Sequence, residues 1–97
     1  MNENDLLQGV TDALTLRGWR WSHPRRSDKA VMMGHAGVPD ILAARNGRVL
    51  FIELKSETGR LSADQAAWFA EFPLVTYTFT ALVLRPSGYD AFLETIR

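Results

Sequence analysis

Residues 37–55 read GVPDILAARNGRVLFIELK. Two apolar, strand-like runs flank Asn46-Gly47, the strongest short hairpin signal, because both residues tolerate the positive φ of a type I′ turn. With a two-residue loop, Arg45 pairs with Arg48 and Ala44 with Val49. The same register carried outward sets Asp40 opposite Glu53. Directly opposed residues project from one face with Cβ atoms roughly 4.5–5.5 Å apart. Lys55, two residues beyond Glu53, shares that face.

Two carboxylates side by side are destabilising on a sheet, so something must offset them. Either Lys55 does so alone, or a hard divalent cation that favours oxygen ligands does. An ordinary surface salt bridge between Asp40 and Lys55 is the plainer alternative. It accounts for one acid and leaves the other. Leu50, Ile52 and Leu54 make one face of the second strand, while Val49 and Phe51 continue the face of Glu53. Both faces are apolar, which predicts an interior strand covered on both sides. Carboxylates at its end are then partly desolvated.

Outward from the hairpin, Leu6, Leu7, Val10 and Leu14 recur at helical spacing and predict a helix over Glu3–Leu16, ended by Gly18. Glu3 extends the stripe of Leu7, Val10 and Leu14. It is therefore either a third acid aimed at the sheet or a first-turn glutamate favoured by the helix dipole. Residues 19–22 predict a short strand and residues 24–37 an irregular segment. Ser62 and Gln65 fit a capping box opening a second helix, on which Gln65, Trp68, Phe69 and Phe72 share a face and which Pro73 stops. Residues 74–85 read as one long strand or two short ones. Pro86-Ser87-Gly88 breaks the chain, and residues 89–97 predict a closing helix. The order α-β-β-β-α-β-α implies an α/β fold, a mixed sheet flanked by helices, in one domain over residues 1–97.

The 97 residues are 46% hydrophobic and carry 11 basic and 11 acidic side chains, with no cysteine. Thiolate metal sites and disulfides are excluded, and a reducing cytoplasmic setting is expected. No signal peptide or bilayer-spanning run is evident. The neutral total leaves no global nucleic-acid footprint. Yet Arg17, Arg20, Arg25, Arg26 and Lys29 cluster, with Asp28 the acid among them. This is either a local basic patch or a solvated loop. His23 and His35 lack zinc-motif spacing and suit loop or DNA-facing positions. Two or three carboxylates can hold Mg²⁺ or Mn²⁺, and a neighbouring lysine can orient water or neutralise a phosphoryl transition state.

Pro39-Asp40 followed by Glu53-Leu54-Lys55 resembles the PD-(D/E)xK nuclease signature. GVPDIL (residues 37–42) and VLFIELKSETGRLSADQAAWF (residues 49–69) resemble the VRR-NUC family, especially its small stand-alone phage and bacterial members. The resemblance implies a restriction-endonuclease-like core and Mg²⁺- or Mn²⁺-dependent cleavage of DNA. Asp40, Glu53 and the Leu54 carbonyl would be metal ligands, with Lys55 as the catalytic lysine. Glu3 would match the family's helix acid, although Leu7 stands where the family often has glutamine. Gln65 would match a motif glutamine, its capping role standing beside that. Small members resemble structure-specific nucleases, including Holliday junction resolvases that act as homodimers. Trp19, Trp21 and residues 77–84 are either core residues, their plainer use, or candidate dimer surfaces, and Arg25, Arg26 and Lys29 are a candidate phosphate-contacting loop. A non-catalytic DNA-binding or assembly module, or a structural domain ending in an ion-pair cluster, is the competing expectation.

Overall fold

A turn with Asn46 at φ 47° and Gly47 at φ 80° joins β2 (Ile41–Arg45) to β3 (Arg48–Leu54). These are the left-handed conformations that a type I′ turn requires. The strands pair antiparallel from Arg45↔Arg48 to Ile41↔Ile52, the expected register. The computed structural model describes residues 1–24 and 33–97. Ahead of the hairpin lie α1 (Glu3–Leu16) and β1 (Arg20–Ser22). After it come α2 (Ala63–Glu71), β4 (Phe79–Leu84), a 3₁₀ turn (Pro86–Gly88) and α3 (Tyr89–Thr95). The sheet order is β1-β2-β3-β4, with β1 antiparallel to β2 and β4 parallel to β3. A parallel neighbour needs a crossover, which α2 supplies. The element order is the predicted one.

One sheet face forms the core. Ile41, Ala43, Leu50, Ile52, Leu54 and Leu84 are buried there with Leu6, Val10, Ala13 and Leu14 of α1, Trp19, Phe92 of α3 and Ile96. The amphipathic stripe of α1 explains its half of the packing. The opposite face differs from expectation. Val49 and Phe51 are only half-buried, and Leu42 is 44% exposed. Among the described residues, the cover over this face comes from the aromatic end of α2. Phe72 stacks on Phe51 at 5.1 Å and meets Phe79 at 5.8 Å. One nine-residue helix is too small to cover a four-stranded sheet.

One further expectation is corrected. The strand predicted within residues 74–85 begins only at Phe79. Pro73 lacks an N–H, and Thr76 closes a turn instead, its amide donating to the Phe79 carbonyl and its hydroxyl accepting from the Phe79 amide. Of the two uses open to Trp19, core packing is the one observed: it is buried and its indole donates to the Ile96 carbonyl. Trp21 does remain 37% exposed.

Arg45 and Arg48 face each other across the turn, an opposition of like charges. Both guanidinium groups find helix C-termini. Arg45 donates to the Arg17 carbonyl, and Arg48 to the carbonyls of Thr95 and Tyr77 while stacking on the Tyr77 ring at 4.5 Å. Cations there complement the helix dipoles. Among the described residues no helix is long and apolar enough to cross a membrane.

Candidate active site

Asp40 directly precedes β2, and the register places it opposite Glu53. Its Oδ2 accepts from the Leu54 amide at 2.8 Å, which fixes the carboxylate against the end of β3. Glu53 is 1% exposed. Its Oε2 accepts from the Gln65 side-chain amide at 3.2 Å and lies 4.0 Å from the Lys55 ammonium. The repulsion between the opposed acids is thus offset by separate donors: a backbone amide for Asp40, a carboxamide and an ammonium for Glu53. The alternative Asp40–Lys55 salt bridge does not form; Lys55 lies beside Glu53.

Gln65 caps α2 and also reaches Glu53. Its backbone amide donates to the Ser62 hydroxyl and its Oε1 accepts from the Ser62 amide, completing the capping box. The remaining Nε2 is free to reach Glu53. The helix start is therefore joined to the acid at the end of β3. Gly37, at φ 91°, lets this helix dock: a Cβ there would lie 2.6 Å from the Asp64 carbonyl carbon and 2.7 Å from the Gln65 nitrogen. Only glycine satisfies both the conformation and the approach. Trp68 adds a second tie, its indole donating to the Ala36 carbonyl at 2.9 Å. The chain entering Asp40 is thereby held by α2.

His23 is a neighbour that the sequence reading did not assign. Its Nδ1 lies 2.7 Å from the Asp40 carbonyl oxygen. A carbonyl only accepts, so Nδ1 carries the proton. The pairing of β1 with β2, Ser22 opposite Leu42, carries His23 toward Asp40, and nothing local in the sequence marks that pairing.

Glu3 is not brought into this group. It is exposed in the first turn of α1, and the buried stripe is Leu6, Val10, Ala13 and Leu14 with Leu7 half-buried. Among the described residues no three His, Cys, Asp or Glu side chains gather as a metal cluster. The remaining donors are Asp40, Glu53 and the Leu54 carbonyl, all hard oxygens of the kind Mg²⁺ and Mn²⁺ prefer. Arg25, Arg26 and Lys29 lie outside the described residues.

The profile of the VRR-NUC domain matches residues 12–81. A solved structure described as a VRR-NUC domain superposes with a TM-score of 0.67 at 17% identity, covering 95% of this chain and 94% of its own. At that identity the likeness speaks for the fold. No curated protein sequence matches significantly. With the family profile spanning the hairpin, the acids and α2, the chain belongs to the VRR-NUC domain family.

Proposed function

We propose that this nuclease-type DNA-processing domain is a Mg²⁺- or Mn²⁺-dependent endonuclease that hydrolyses phosphodiesters in branched DNA, such as Holliday junctions, as a homodimer. The observation that carries the reading is the meeting of Asp40, Glu53, Lys55 and Gln65 at the end of one central strand. A carboxylate pair is a poor surface for a polyanion unless a cation intervenes. This argues against a module that only binds DNA.

In this reading Asp40, Glu53 and the Leu54 carbonyl would hold the metal. When bound, such an ion would supply Lewis acidity and lower the pKa of its water. Lys55 presents its ammonium to the scissile phosphate, orienting the attacking water and offsetting charge that develops on the phosphoryl oxygens. Gln65 keeps the Glu53 carboxylate turned toward that position through its 3.2 Å hydrogen bond. A two-fold dimer suits a junction because two equivalent strands must be cut.

The test is cleavage of linear, flapped and four-way DNA by purified protein with Mg²⁺, Mn²⁺ or EDTA, with the oligomeric mass measured alongside. Asp40→Asn is expected to lose metal-dependent cleavage, and Lys55→Ala to bind DNA and metal yet cut poorly. Cleavage in EDTA, or full activity in Asp40→Asn, overturns the proposal. Linear DNA cut as well as junctions, by a monomer, refutes the substrate assignment alone.

A further inference from the structure

Lys55 leaves β3 with its amide bonded to the Leu84 carbonyl at 3.0 Å. Strand pairing ends there. The next residues, Ser56-Glu57-Thr58-Gly59, contain no apolar side chain that could anchor them in the core. They fold as a tight turn, with the Gly59 amide donating to the Ser56 hydroxyl at 3.0 Å. What ties this turn to the body of the protein is a guanidinium. Arg85 Nη1 lies 2.7 Å from the Ser56 carbonyl oxygen, 3.3 Å from that of Glu57 and 2.7 Å from that of Gly59. A second tie runs beside it, the Ser87 amide donating to Glu57 Oε1 at 3.0 Å.

We propose that Arg85 is a positioning residue for Lys55, clamping the turn that follows the lysine onto the corner after β4. The inference rests on the proposed nuclease reading for the role of Lys55. The contacts that motivate it are independent of that reading. Arg85 sits one residue past the Leu84 that receives the Lys55 amide, so both anchors come from one stretch of chain. The lysine backbone is thus held on one side by strand pairing and on the other by the clamp at Ser56. No salt bridge within the described residues competes for this guanidinium. Its charge is directed at carbonyl dipoles, which hold backbone. Arginine suits the task because its planar, pre-organised donors lose less freedom per hydrogen bond than a lysine ammonium on a flexible stem. Displacing a reacting group by about 1 Å can lower a rate by about 100-fold, so a clamp one residue from the ammonium-bearing position acts directly on kcat.

The experiment compares Arg85→Met, Arg85→Lys and wild type, each also in a Lys55→Ala background. Readouts are steady-state cleavage of junction DNA and amide hydrogen exchange across residues 55–60. Arg85→Met is expected to lower kcat by about 10- to 100-fold with KM within about twofold. Arg85→Lys is expected to recover part of that loss, and Arg85→Met to add nothing once Lys55 is absent. Exchange in the turn should quicken about tenfold while β3 amides keep their protection. Unchanged exchange in Arg85→Met overturns the clamp whether or not the protein cuts DNA. Looser exchange with normal kcat, or a loss that persists in the Lys55→Ala background, overturns the action through Lys55. Wild type that cuts no DNA overturns the nuclease reading and with it the catalytic part of the inference, while exchange still decides whether Arg85 holds the turn. If Arg85→Met does not fold, Arg85→Lys carries the same comparisons.

Discussion

Replacing Gln65 by methionine removes two hydrogen bonds at once: the one its Oε1 accepts from the Ser62 amide and the one its Nε2 gives to Glu53. Ser62→Ala is the matched control, because it removes the other half of the capping box and leaves Glu53 alone. Losing one side of a cap costs about 1 kcal/mol. A hydrogen bond to a charged group adds about 1.5–3 kcal/mol. Gln65 is 8% exposed and Glu53 1%, so water does not readily replace the lost donor. Gln65→Met should therefore cost about 2.5–4 kcal/mol and Ser62→Ala about 1 kcal/mol. In a domain of this size these become roughly 10–30 °C and 4–8 °C in Tm. Thermal and urea unfolding of both variants, without added metal, give the comparison. Equal losses in the two would show that Gln65 is a helix cap and nothing more.

Gly37→Ala should destabilise by about 2 kcal/mol or more, from positive φ and overlap with the α2 backbone. A urea midpoint equal to wild type would refute the close docking of the helix on Gly37. Glu57 offers a pH test. Hydrogen bonds from Ser87, the side-chain contact first, with a further contribution from the Arg85 charge, hold its carboxyl below the ordinary value of 4.5. A group with a lowered folded pKa stabilises the protein above its unfolded value, and that contribution is lost as pH falls through the folded one. Glu57→Gln should therefore melt below wild type at neutral pH, with the gap narrowing from pH 4.5 downward. A gap that widens on acidification would refute the sign.

The sequence alone decides what is local. Asn46-Gly47 sets the turn, alternation sets the register, and together they oppose Asp40 and Glu53 without reference to any distant residue. The start of α1, the capping box of Ser62 and Gln65, and the stop at Pro73 are equally legible, since each rests on contacts within a few residues. Only the tertiary structure decides how far each covering layer extends. A helical stripe gives the side on which Glu3 lies but not whether anything lies over the first turn, and Glu3 is exposed. The same reason leaves Val49 and Phe51 half-covered where their apolar character alone predicts burial. Contacts between residues far apart along the chain, His23 to Asp40 and Arg85 to the turn after Lys55, leave no periodic mark. They form because the strands carry those side chains to one end of the sheet, and only folding brings those ends together.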